Sequence, residues 1–150
     1  MGYSWDLITH GFPFSFSHGQ SCSAGSRIFV QSSIYDEFLE RFTASQGIKL
    51  GDPSTPGTHQ GPQISQAQYD CIMSYVQSGK EEGATCQPGG DHFETEGFYI
   101  NPTIFTDVMP DMRVVKEEIV YYCHHQTEEG EIQFFLSSRT NLINLGIVQR

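Results

Sequence analysis

Residues 19–42, "GQSCSAGSRIFVQSSIYDEFLERF", carry the reading of the fold. Inside them "SRIFVQ" (26–31) concentrates β-branched and aromatic side chains over the length of a strand. The continuation, "SSIYDEFLERFTASQG", spaces Ile34, Tyr35, Phe38, Leu39 and Phe42 at helical intervals, so one stripe of the helix is apolar. Ser33 is the expected cap, Asp36 and Glu37 fall in the first turn where the helix dipole favours them, and Gly47 is the expected stop. A strand leading directly into an amphipathic helix is the basic unit of layered α/β domains, because both elements must bury an apolar face against a third.

Just before this unit stands Cys22, among Ser21, Ser23, Ala24 and Gly25. Backbone N–H groups at a chain reversal or helix start stabilise a thiolate, and small neighbours leave room for a substrate carbonyl to approach. The same composition also builds an ordinary tight turn. The residues alone leave both readings open.

Downstream, "GDPSTPGTHQGPQ" (51–63) is too rich in Gly, Pro, Ser and Thr to be anything but loop. "SQAQYDCIMSYVQSGKEEG" then places Tyr69, Ile72, Met73 and Val76 on one helical face, with Ser65 as cap and Gly79 and Gly83 as breaks near its end. Cys71 lies beside that face and is expected to be packed. "FYI" (98–100) and "TIFTDV" (103–108) are strand candidates, and Pro102 makes the first an edge or the end of an element. "DMRVVKEEIVYY" suits a short helix or a strand. Beyond residue 123 no period of either kind is sustained.

The chain has 150 residues, enough for one domain with a core, and is 37% hydrophobic. Its 18 acidic and 8 basic residues give a formal charge of −10. Such a surface repels phosphate backbones and anionic lipid, so neither a nucleic acid nor a membrane is an expected partner. No apolar run approaches the roughly 20 residues of a membrane span, and the N-terminal twenty residues lack a basic start. Four widely spaced cysteines without a C-x-x-C pair suggest reduced thiols and a cytoplasmic location. The adjacent His124 and His125 join no ligand spacing, so no metal site is expected. Neither a G-x-G-x-x-G turn after a strand nor a P-loop is present.

The stretch quoted first also resembles the catalytic-cysteine segment of the NAD(P)-dependent aldehyde dehydrogenase superfamily, with its G-Q-x-C-x-A-G-S-R pattern. The resemblance continues, in the family's order, through "LGDPSTPGTHQGPQISQAQYDCIMSYVQSGKEEGA", "GFYINPTIFTDV" and "MRVVKEEI", covering about residues 3 to 120. It implies an α/β fold, part of a catalytic domain with a largely parallel sheet flanked by helices. Residues 1–150 would form this single partial domain, with 124–150 a divergent tail and the cofactor-binding domain absent. It further implies that Cys22 is the catalytic nucleophile, that its backbone N–H contributes to the oxyanion site, and that Glu118 is the carboxylate holding the nicotinamide ribose. Gly19 and Gln20 match the segment shaping the approach to the thiol.

The departures carry equal weight. Where the family follows the glutamate pair with Phe-Gly-Pro, this chain has Val120, Tyr121 and Tyr122. The oxyanion-hole asparagine and the general-base glutamate have no counterpart here. The expectation is a truncated, pseudoenzyme-like chain without independent dehydrogenase activity and with no cofactor of its own. The alternative is NAD(P)-dependent oxidation of an aldehyde to an acid through Cys22, with NAD or NADP bound, once a partner chain or further sequence completes the site. Aromatic side chains left without their usual cover predict self-association, or a partner chain covering that face.

Overall fold

The computed structural model describes residues 18, 27–44, 48–87, 89–93, 97–117, 119 and 145–149. Strand β1 (Arg27–Phe29) is followed by a 3-10 turn (Ser32–Ile34) and helix α1 (Tyr35–Ala44). Helix α2 (Gln66–Glu81) leads to β2 (Thr85–Cys86), then β3 (Thr103–Thr106), the one-turn helix α3 (Arg113–Lys116) and β4 (Leu145–Gln149). The strands form one sheet in the order β1-β4-β3-β2. β4 runs parallel to both neighbours, pairing Arg27 with Ile147 and Phe105 with the same residue, and only β2 is antiparallel. The expected α/β class with a largely parallel sheet is what the chain adopts.

Both faces of that sheet are covered, as parallel strands require. Alternation along β3 sends Ile104 to one side and Phe105 to the other, and neither has any solvent exposure. Ile104 joins Val30, Tyr35, Phe38 and Phe42 under α1, where the Phe38 and Phe42 rings stack with centroids 5.4 Å apart. Phe105 joins Ile72, Tyr75, Val76, Val114 and Ile119 under α2 and α3. Each such buried side chain contributes roughly 1.5–3 kcal/mol of transfer free energy.

Helix α2 begins as its sequence predicts, the Ser65 hydroxyl accepting from Gln68 N at 3.2 Å. Its buried face is wider than the expected stripe, since Tyr75 and Cys71 are also buried. Gly79 does not break it. A Cβ at that position would stand 2.9 Å from the Phe105 ring, so the glycine lets the helix close on β3, and the helix continues to Glu81. The stop falls at Gly83, whose φ of 95° is left-handed.

Other expectations shift. Ser33 sits within the 3-10 turn instead of capping α1. Gly47 lies outside the described residues. "FYI" forms one bridge, Ile100 to His92, and no strand. Within "DMRVVKEEIVYY", Arg113–Lys116 form the single turn α3, Glu117 is extended at φ −97° and ψ 153°, and Ile119 is helical again. Cys71 is disulfide-bonded, correcting the expectation of four reduced thiols. Among the described residues no helix is long and apolar enough to cross a membrane.

Candidate functional site

The two residues singled out by motif, Cys22 and Glu118, lie outside the described residues, as do Gly19 and Gln20. Their flanks are described, and these are brought together. Arg27 opens β1, the strand that follows the thiol segment, and its Nη2 donates to the carbonyl of Val115 in α3. One hydrogen bond thus spans 88 positions of sequence and ties the strand after Cys22 to the helix before Glu118.

Glu117, the first of the adjacent glutamates, is held on two sides. Its Oε2 accepts from the Tyr75 hydroxyl at 2.6 Å and from Arg113 Nε at 3.0 Å. The Arg113 guanidinium lies 3.9 Å from the centre of the Tyr75 ring, a cation–π contact within the same cluster. Backbone bonds add to this: Glu117 N donates to Arg113 O at 3.0 Å, and Arg113 N to Glu82 Oε2 at 2.7 Å. Ile119, on the far side of Glu118, is sealed in the core.

These contacts set the protonation states. Burial pushes the Glu117 carboxyl up, but the bonds from Tyr75 and Arg113 outweigh it, so the group titrates below its ordinary value. Burial and the neighbouring carboxylate push the Tyr75 phenol up to about 12. Tyr75 therefore remains a donor and Glu117 an acceptor across the physiological range. Burial likewise lowers His18, four residues before Cys22, against the opposing effect of its bond to the Gly61 backbone. Cys86, half-buried between Lys80 and Asp91, is raised by burial, which makes it a poor thiolate at neutral pH.

Of the two adjacent glutamates only Glu117, engaged by Tyr75 and Arg113, falls among the described residues. No glycine-rich strand-to-helix turn that could cradle a pyrophosphate occurs among them. Nor does any described group of three His, Cys, Asp or Glu residues suit a metal ion. The Tyr75–Arg113–Glu117 cluster was not found by the sequence reading, which placed Tyr69, Ile72, Met73 and Val76 on the apolar face of α2 and did not single out Tyr75.

Residues 9–120 match the aldehyde dehydrogenase family model, and the chain belongs to that family. It is 60% identical to an aldehyde dehydrogenase of Agaricus bisporus over 105 residues, 69% of this chain and 21% of that protein. It is 47% identical to a mitochondrial benzaldehyde dehydrogenase of Antirrhinum majus over 110 residues, 72% of this chain and 20% of the relative. The chain therefore spans about a fifth of the length of these curated relatives. Among solved structures, the NAD+ complex of a Bacillus cereus aldehyde dehydrogenase superposes with a TM-score of 0.75 at 30% identity. That match covers 97% of this chain and 26% of the other. A Staphylococcus aureus betaine aldehyde dehydrogenase in complex with NAD+ gives a TM-score of 0.76 at 30% identity, with the same coverage.

Proposed function

We propose that these 150 residues carry the thiol side of an NAD(P)-dependent aldehyde-oxidising site and do not turn over by themselves. Cys22 is the nucleophile and Glu118 the carboxylate for the nicotinamide ribose. The supporting observation is the Arg27–Val115 hydrogen bond, which joins the strand after the thiol segment to the helix leading into Glu118. A reaction between a thiohemiacetal carbon and a nicotinamide ring requires those two segments side by side.

In this reading the Cys22 thiolate attacks the aldehyde carbon, forming a C–S bond while the carbonyl π electrons move to oxygen. The Cys22 backbone N–H donates to that oxygen. NAD(P), were its nicotinamide ribose held by the Glu118 carboxylate, would supply the hydride acceptor, and loss of hydride would leave that carbon as the thioester of Cys22. Water adds to the thioester, the carboxylic acid departs, and the sulfur is free again.

The 150 residues lack the other parts that the family pattern implies: the oxyanion-hole asparagine, the general-base glutamate and a cofactor domain. Removing a single oxyanion donor costs about 10² to 10³ in rate. Those parts must come from further polypeptide, joined to this one or separate, and the same proposal includes a partner surface where it docks.

Calorimetry of the isolated 150-residue chain with millimolar NAD or NADP is expected to show no binding, and small aldehydes to produce no rise in reduced-cofactor absorbance. Cys22→Ser controls for covalent chemistry. Saturable binding with turnover abolished by that substitution would overturn the claim of inactivity. Turnover only after addition of a second polypeptide would support the completed-site form of the proposal.

A further inference from the structure

We propose that Thr55 is a phosphorylation site for a proline-directed protein kinase, with Lys49 the cation that its phosphate engages. Thr55–Pro56 is the only place in the chain where a serine or threonine precedes a proline. A kinase whose pocket beyond the acceptor is apolar selects proline there, because any other residue would bury an unpaired N–H. The ten residues before Thr55 hold no arginine and none of the five after it is acidic, so kinases that read those charges find nothing here. Nothing in the dehydrogenase reading uses residues 52–58, and the two proposals stand or fall separately.

The loop presents that threonine. Residues 52–57 are all exposed, while Leu50 and Gln60 at the base are buried and bridged to each other. Thr55 N donates to Asp52 O at 2.9 Å, and Thr58 N donates to Thr55 O at 3.1 Å. Pro56 and Gly57, whose φ is 83°, thus form the centre of a type II turn that begins at Thr55. Both bonds are internal to the loop. A kinase can therefore draw the segment out straight and leave the pair at its base intact.

The neighbouring hydroxyls are not equivalent to it. Ser54 Oγ donates to Asp52 Oδ1 at 2.7 Å, and Thr58 Oγ1 is buried. Among the described residues no hydrogen bond engages the Thr55 hydroxyl. Lys49 lies over the same turn, for a Cβ on Gly57 would stand 3.9 Å from its Nζ, and no described carboxylate pairs with that ammonium. In the transfer, Thr55 Oγ1 attacks the γ-phosphorus of ATP. A P–O bond forms, the bond from that phosphorus to the bridging oxygen breaks to release ADP, and the hydroxyl proton passes to a carboxylate of the kinase. The product carries close to two negative charges, which an unengaged ammonium beside the turn attracts.

The test is incubation of the folded chain with ATP and a mitogen-activated, proline-directed kinase, followed by peptide mass spectrometry. Ser54→Ala, Thr55→Val and Pro56→Ala are treated alongside. One phosphate on Thr55 is expected, kept in Ser54→Ala and absent in Thr55→Val. In Pro56→Ala it should form at least about tenfold more slowly, since the restored N–H is left unpaired in the kinase pocket. Phosphorus NMR then titrates the product. The second ionisation of the phosphate, ordinarily near about pH 6, should fall lower in the phosphorylated chain than in its phosphorylated Lys49→Gln form. No incorporation, phosphate on Ser54 or Thr58 instead, or incorporation only after unfolding in urea overturns the site. An unchanged phosphate titration in Lys49→Gln overturns the pairing with Lys49.

Discussion

At the scale of single residues, the protonation of Glu117 and Tyr75 couples the network to pH. Glu117 is depressed below its ordinary value of 4.5, so the folded state binds fewer protons than the unfolded chain in that window. Its stabilisation is fully present above about pH 4.5 and is lost as pH falls through the folded value. Tyr75 behaves oppositely: raised from 10.0 to about 12, it contributes below pH 10 and loses that contribution as pH rises toward 12. Denaturation midpoints measured across pH should therefore fall at both ends, and Glu117→Gln should flatten the acid limb. Ultraviolet titration should show one late phenol that Tyr75→Phe removes. An acid limb unchanged by Glu117→Gln would mean the carboxylate is not held as described.

At the scale of elements, the approach of α2 to β3 is governed by Gly79. Alanine there gains about 1 kcal/mol of helix propensity. The added methyl would meet the Phe105 ring at 2.9 Å and Val114 at 3.2 Å, and both neighbours are fully buried with nowhere to move. Overpacking of this kind costs about 1–3 kcal/mol, so Gly79→Ala should lower stability by about 1 kcal/mol net in urea titrations. Gly83→Ala meets no atom within 4 Å, and its cost comes from the left-handed φ of 95°. Gly83→Asn, which tolerates that conformation, should recover part of the loss while no polar replacement rescues position 79. Equal effects of alanine and asparagine at 83 would show that the turn, and not the φ, sets the cost.

At the scale of the whole molecule, β1 pairs only with β4 among the described residues, and Phe29 on it is 75% exposed. An unpaired edge strand carrying an exposed aromatic side chain favours association. The charge of −10 opposes it. Salt screens the repulsion and leaves the apolar contact intact, the Debye length being about 8 Å at physiological ionic strength. Sedimentation velocity should therefore show self-association that grows with salt and with protein concentration, and Phe29→Asp should suppress it. A compact monomer at every salt concentration would count against an exposed docking edge.

What the sequence determined by itself was local or motif-borne. The stripes of α1 and α2, the Ser65 cap and the apolar run of β3 follow from spacing and side-chain type, because helices and buried strands advertise their period within a few residues. The family was legible through ordered motifs. Tertiary structure decided everything whose cause lies far along the chain. β4 was not legible: "LGIVQ" is a short run with a glycine in an irregular tail, and its strand character comes from pairing with β1 and β3 on either side. Gly79 read as a break because propensity is local, whereas Phe105 makes it a close approach. The Arg27–Val115 tie and the Tyr75–Glu117 bond join residues 88 and 42 positions apart. No window of sequence contains such pairs, since hydrogen bonds at that separation exist only after the sheet and its two helical layers have closed.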